Sequence, residues 1–252
     1  MLIHPTLEKL HNLRLIGMAR AYEQQLAMPD IDSLSTEERL GLMVDHEITE
    51  RDSRRLTTRL RRARFRHNAA IEDIDYQHPR GLDKSVFTKL ASCQWVREHH
   101  NLLLTGPTGI GKSWLACALG HQACREGLNV VYVRLSRFLA ELVVAKGDGR
   151  YAKLMRSLNK TDVLILDDFG SARLKDEHRR DLLELLDDRY GVHSTLVTSQ
   201  YPVDNWHEVI DDPTLADAIL DRLVHNAYKI HMTGESMRKR RKNLTQTGRL
   251  ES

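Results

Sequence analysis

The segment Gly106-Pro107-Thr108-Gly109-Ile110-Gly111-Lys112-Ser113 fits the pattern G-x-x-x-x-G-K-[ST] at every fixed position, and it limits the folds open to this chain more than any other feature. The apolar run Asn101–Thr105 before it reads as a buried strand, and Trp114–Leu119 after it reads as a helix packed all round. A glycine turn merely joining strand to helix is the plain alternative, but the strand–loop–helix setting suits a phosphate cradle better. In such a loop, glycines let backbone N–H groups turn inward around a phosphate, and the helix N-terminus adds its positive end. Lys112 is then expected to reach the β- and γ-phosphates, and the Ser113 hydroxyl to hold Mg²⁺. Gly106, Pro107, Thr108, Gly109, Ile110, Gly111, Lys112, Ser113 and the adjoining Trp114 make up the expected nucleotide set, with ATP and Mg²⁺ as cofactors.

Two later strands offer partners for that loop. Val163-Leu164-Ile165-Leu166-Asp167-Asp168 is an apolar run ending in two carboxylates, 54 residues after Ser113. Asp167 is expected to bind Mg²⁺ through water, and Asp168 to orient or activate an attacking water. Taken alone, the pair would read as solvated aspartates before the turn at Gly170; the loop changes that reading. Leu196-Val197-Thr198-Ser199-Gln200 is another buried strand running into polar residues. In an open parallel sheet, ligands sit at the carboxyl ends of strands, so Thr198, Ser199 or Gln200 is a candidate sensor of the γ-phosphate. Gln200 is taken with the catalytic set.

The whole pattern alternates. Strands at 101–105, 129–135, 162–167, 194–199 and 227–232 are separated by helices at 136–146, 150–159, 176–190 and 214–226, which implies an α/β fold with a mostly parallel sheet flanked by helices. Ahead of it, 6–27 reads as one amphipathic helix with Leu7, Leu10 and Leu13 on its apolar side. Ser35-Thr36-Glu37-Glu38 is a capping box opening a long helix to about Phe65, with Val44, Ile48, Leu56, Leu60 and Ala63 on one side. A short helix around 86–98 lies in the connector.

Net charge is only +3, but its distribution is uneven. From Arg51 to Arg66 there are eight arginines and a single acid, Asp52, and a second basic cluster, Arg238-Lys239-Arg240-Arg241-Lys242, lies near the C-terminus. Arg51, Arg55, Arg59, Arg62 and Arg66 form a stripe at helical spacing. A solvated face matched to the helix dipole accounts for the last turn but not for four turns, so the stripe reads as a rail for polyanionic phosphates. The three cysteines have no metal spacing, and Cys117 and Cys124, seven apart on one helix, stand ~10.5 Å apart and cannot bridge. No run approaches a membrane span, and the first residues do not begin a signal peptide, so a cytoplasmic protein without a membrane partner is expected.

Together these residues resemble the AAA+ ATPases of the DnaA/DnaC clade, and most closely the IstB-like transposition helper ATPases. The resemblance runs over Leu13–Ala19, the arginine helix, Gly106–Ser113, Leu164–Gly170, Leu196–Gln200, Leu220-Asp221-Arg222-Leu223 and Gly234–Arg238. It implies a P-loop NTPase sheet, slow Mg-dependent ATP hydrolysis stimulated by assembly, an ATP-dependent homo-oligomer on duplex DNA, and a transposase of the same mobile element as partner. On its helix alone Arg222 reads as a surface ion pair; the resemblance makes it an arginine finger acting in trans. It also makes the helices before Asp167 an extra element of the clade, in which Lys153 and Arg156 join the DNA-binding set, although as exposed helix residues they read equally as solvated surface. Only about twenty residues follow the last strand, so little or no helical lid is expected.

The expected organisation is a helical DNA- or partner-binding domain at 1–66, a connector at 67–100, an ATPase domain at 101–234 and a basic tail at 235–252. The expected function is that of an accessory ATPase which assembles on duplex DNA and assists a transposase in selecting or remodelling its target. The runner-up is a replicative helicase loader of the DnaC type, which prefers single strands. The scarcity of aromatics across 51–66, where only Phe65 is available for base stacking, favours duplex. A metabolite kinase would leave the arginine helix unexplained.

Overall fold

The structure is a computed structural model that describes residues 5–237; the Arg238–Lys242 cluster and most of the expected basic tail lie outside the described residues. The chain divides into two compact units, one ending at Thr58 and the other beginning at Arg59.

The first unit is helical, with α1 (Pro5–Asn12), α2 (Ile16–Ala27) and most of α3 (Thr36–Ala63). The capping box forms: the Ser35 hydroxyl accepts the Glu38 N–H (3.2 Å), and the Ser35 N–H donates to the Glu38 carboxylate (2.7 Å). The single helix expected over 6–27 is broken. Arg14 takes a left-handed conformation (φ 59°), and Leu13, assigned to the apolar stripe, is exposed. Hydrophobic spacing continues through the break, so spacing alone misses it. The N–H groups of Gly17 and Met18, which open α2 with no helical partner, donate to the Glu47 carboxylate of α3 at 2.7 and 3.2 Å. On α3 the expected packed side splits: Val44 and Ile48 are exposed, Leu56 and Leu60 half-buried, and Ala63 buried.

The second unit runs α4 (Lys84–Ala91), α5 (Gln94–Arg97), β1 (Asn101–Thr105), α6 (Lys112–Arg125), β2 (Val130–Arg134), α7 (Leu135–Gly147), α8 (Tyr151–Asn159), β3 (Val163–Phe169), α9 (Asp176–Arg189), β4 (Ser194–Ser199), α10 (Trp206–Ile210), α11 (Pro213–Val224) and β5 (Ala227–His231). The helix expected around 86–98 is two: Asp83 caps α4 through the Ser85 N–H (2.7 Å), and a left-handed Cys93 (φ 56°) separates α4 from α5.

All strand pairs are parallel, in the order β2-β3-β4-β1-β5. Side chains alternate faces along a strand. Leu103, Leu164, Leu166 and Val197 share a core with α7, α8, α9 and α11, while Ile165 reaches α6 at Gly120. Leu102, Leu103 and Leu104 are completely buried, and each such side chain contributes roughly 1.5–3 kcal/mol on transfer from water. At the end of β3, Phe169 stacks at 4.5 Å on Trp206 of α10, a helix not expected from spacing; the Trp206 indole N–H donates to the Tyr201 carbonyl (3.0 Å). Among the described residues no helical lid follows β5, and no helix is long and apolar enough to cross a membrane.

Candidate functional site

Parallel strands in register bring their carboxyl ends to one edge: Thr105 pairs with Ser199 and His231, and Arg134 with Asp167. The Gly106–Ser113 loop leaves β1 at this edge and opens α6 at Lys112. Two segments clasp it from outside. The Arg80 guanidinium donates to the carbonyls of Ile110 (3.2 Å) and Asp75 (2.7 Å), and the Met237 N–H donates to the Gly109 carbonyl (3.0 Å). Gly109 has φ 84°, and a Cβ there would lie 2.2 Å from the Ser236 hydroxyl oxygen, so glycine is required both by backbone and by space. The Gly234–Arg238 element thus meets the loop as far as it is described; Arg238 itself lies outside the described residues.

Within the loop, Lys112 is buried and its ammonium donates to the carbonyls of Gly106 (2.5 Å) and Pro107 (2.8 Å). Burial pulls its pKa down, while the carboxylates of Asp168 and Asp167 work against that shift. Pro107 and Thr108 are exposed, and Ser113 and Trp114 are half-buried on the first turn of α6. Thr108 donates to the Gln200 side-chain carbonyl (2.5 Å), so the loop and the end of β4 touch directly. Of the other two sensor candidates, Ser199 donates to the Phe169 carbonyl (2.9 Å), and Thr198 is turned to the aspartates.

Asp167 is 0% exposed, and its carboxylate accepts from the Tyr132 hydroxyl (2.5 Å) and the Thr198 hydroxyl (2.6 Å). Burial and that carboxylate push the Tyr132 hydroxyl pKa far up, which keeps it a donor. Asp168 sits at a bulge with φ 63°; its N–H donates to the Thr198 hydroxyl (3.1 Å), and its carboxylate pairs with Arg134 (2.8 Å). The left-handed residue turns the second carboxylate away from the first, so two adjacent aspartates acquire different surroundings. Tyr132 and Arg134 were missed in the sequence. The available signal was register, since β2 ends in a cation opposite β3's acids.

The remaining candidates are dispersed. Arg222 of α11 pairs with Asp187 (3.0 Å) and Asp221 (3.3 Å). Its carbonyl accepts from the Asn101 side chain (2.8 Å), which opens β1, whereas the loop leaves the other end of that strand. Arg51 pairs with Glu47 (2.7 Å) and Arg55 with Asp52 (3.4 Å), both exposed on α3. Arg59 donates to the Cys124 carbonyl in the last turn of α6 (3.1 Å), where a cation suits the helix dipole. Arg62 is exposed, and Arg66 lies against Asp167 (3.9 Å). Lys153 and Arg156 are exposed on α8.

Comparison with known proteins agrees with this geometry. The family model described as IstB-like ATP binding protein matches residues 8–245. The chain belongs to this family. A putative insertion sequence ATP-binding protein, y4pL, of Sinorhizobium fredii is 52% identical over 95% of this chain and 98% of its own length. The insertion sequence IS21 putative ATP-binding protein of Pseudomonas aeruginosa is 33% identical over 92% of this chain and 88% of its own. In fold, this IstB-like protein is similar to the DnaC helicase loader (TM-score 0.55, 21% identity, 66% of this chain and 97% of that one). It is likewise similar to an AMPPCP-bound DnaA from Aquifex aeolicus (TM-score 0.56, 15% identity, 75% and 58%). It is an IstB-like ATP-binding protein with the fold of these solved structures, and the relatives it matches are named as insertion sequence ATP-binding proteins.

Proposed function

We propose that this IstB-like protein is the ATP-driven, DNA-binding helper of the transposase encoded by the same mobile element. ATP binding promotes homo-oligomers on duplex DNA that select or remodel the target, and hydrolysis releases them. The observation that carries this reading is the separation of Arg222 from the loop by the length of β1. Five residues at about 3.3 Å each make ~16 Å, so Arg222 serves a phosphate only in a neighbouring copy. A finger in trans makes hydrolysis depend on assembly, since its charge stabilises the γ-phosphate only where two subunits meet.

Each remaining group has a task in this scheme. Loop amides and Lys112 hold the β- and γ-phosphates, with Lys112 exchanging its two carbonyl acceptors for phosphate oxygens. The hydroxyl of Ser113 and the carboxylate of Asp167 are hard oxygen donors that fit Mg²⁺, which accepts one or two protein oxygens beside phosphate and water. When bound, Mg²⁺ neutralises charge developing on the phosphates. Asp168, held by Arg134, orients or activates the attacking water, and Gln200, already on Thr108 of the loop, senses the γ-phosphate. For DNA, Arg51, Arg55 and Arg62 with Lys153 and Arg156 are the proposed exposed phosphate contacts. Residues 1–66 are the proposed DNA- or partner-binding domain, 67–100 the connector, 101–234 the ATPase domain and 235–252 a basic tail.

The test is the mass and duplex-DNA affinity of the purified protein with ATP, with ADP and without nucleotide. Large complexes on duplex with ATP alone are expected. A nucleotide-indifferent monomer that ignores duplex would favour a helicase loader, the reading to which the fold likeness to DnaC gives its only support.

A further inference from the structure

Arg66 falls at the end of the arginine stripe in sequence, yet its guanidinium lies 3.9 Å from a fully buried carboxylate oxygen of Asp167, the same oxygen that accepts from Tyr132. The backbone beneath it is fixed. The N–H groups of Arg66 and His67 approach the Cys117 sulfur on α6, and the Phe65 ring occupies the space over Gly120. A Cβ at Gly120 would lie 2.6 Å from that ring and 2.8 Å from Ile165, so α6 and β3 accept Phe65 only because residue 120 is glycine. At the far end of α6, Arg59 holds the Cys124 carbonyl. The last residues of α3 and the segment after it are therefore carried on the helix that follows the phosphate loop.

The head group of Arg66 is held differently. At 3.9 Å its contact with Asp167 exceeds hydrogen-bonding distance, and the side chain is 41% exposed. Its charge is placed on the carboxylate without a direct hydrogen bond to it, and its other contact there is the Tyr132 hydroxyl, which bonds the same oxygen. We infer that Arg66 is a exchangeable counter-cation of the nucleotide site, shared between Asp167 and the DNA backbone. This inference rests on the proposed role of Asp167 as a Mg²⁺ ligand. A divalent cation and a guanidinium on one carboxylate repel each other, so binding of Mg²⁺ with ATP drives Arg66 off Asp167 and toward solvent. There it stands beside the exposed Arg62 and Arg64, where DNA phosphates attract it. Coupling of this kind is reciprocal: DNA that recruits Arg66 raises the affinity of the site for Mg²⁺ with nucleotide, by the same factor that nucleotide raises DNA affinity. Arg66 is a coupling residue, whereas the exposed Arg51, Arg55 and Arg62 of the stripe serve affinity alone.

The experiment measures the affinity of the full-length protein for a fluorescent ATP analogue as Mg²⁺ is raised, with and without a 50-base-pair duplex. In the unsubstituted protein, duplex lowers the Mg²⁺ midpoint. Arg66→Gln is expected to lower that midpoint at least about fivefold without DNA, the lower end of ordinary coupling, and to make added duplex ineffective. Arg66→Lys, which keeps the charge, is expected to behave like the unsubstituted protein and shows that any change comes from charge, not from misfolding. An unchanged midpoint and an undiminished duplex effect in Arg66→Gln overturn the inference. Asp167→Asn separates the two levels: if it leaves the Mg²⁺ dependence intact, Asp167 is not the ligand, and the reading beneath the inference fails with it. If it abolishes the dependence while Arg66→Gln changes nothing, only the coupling fails.

Discussion

The two ends of one sheet use charge in opposite ways. At the amino ends of the strands, Arg189 is 1% exposed, and its guanidinium donates to the carbonyls of Leu158 (2.7 Å), Thr161 (3.0 Å) and Ser194 (2.6 Å) and to the hydroxyls of Thr161 and Thr195. Burial lowers its pKa to about 10, which still leaves it charged at neutral pH. Its partners are carbonyls and hydroxyls where the end of α8 meets the starts of β3 and β4, and none of them carries a charge. At the carboxyl ends, Lys112 rests on carbonyls of its own loop, Arg134 on Asp168 and Arg66 near Asp167. Each of those cations rests on a partner that it can exchange for a phosphate or yield to a metal ion. A charge fastened to neutral, immobile carbonyls staples the fold, and a charge resting on a loop or a carboxylate is available for a ligand.

Substitution at the two ends should therefore separate stability from binding. Arg189→Met is expected to have the largest effect on stability, roughly 3–5 kcal/mol, because it removes five buried hydrogen bonds. Urea denaturation measures it, and the fraction that remains folded should bind ATP normally. A loss under about 1 kcal/mol would mean that the amino end is no staple. Lys112→Ala should reverse the pattern. ATP binding and ATP-dependent assembly are lost, while the denaturation midpoint holds or rises, since burial already disfavours this charge. Assembly with ATP in that variant would break the comparison at its other end.

Arg222→Ala should have the smallest effect on either quantity. Its pair with Asp187 is partly exposed and contributes at most ~1 kcal/mol, and ATP binding should be unaltered. Only hydrolysis in the assembled state should fall, by about 10³-fold or more if it acts in trans. Mixing this variant with Lys112→Ala subunits sharpens the point. A pair with one intact loop facing one intact finger is expected to regain activity, and absence of any recovery would place Arg222 among surface ion pairs.

Much of this molecule was legible because its information is local. The phosphate loop has fixed spacing, and the apolar stretches at 102–104, 163–166 and 196–197 each run straight into polar residues, as buried strands ending at a ligand edge do. What escaped depends on single dihedrals or on pairings across the sheet. Nothing in the side chains of Arg14 and Cys93 announces a left-handed backbone, so two helices were read through their breaks. Tyr132, Arg134 and Arg66 acquire their meaning only when β2 and the segment after α3 are laid beside Asp167 and Asp168. The arginine stripe illustrates the limit well: helical spacing made five residues equivalent, whereas Arg59 caps α6 and Arg66 turns to the buried carboxylate of Asp167.

The stacking of Trp206 on Phe169 has an optical consequence. Its indole is completely buried, and the ring it touches follows Asp168 directly in the chain. Any rearrangement of the two aspartates on nucleotide binding is thus transmitted through one residue to a native fluorophore. With Trp95 and Trp114 replaced by phenylalanine, the emission of Trp206 alone would report the state of the paired aspartates in real time, without a label on either protein or nucleotide.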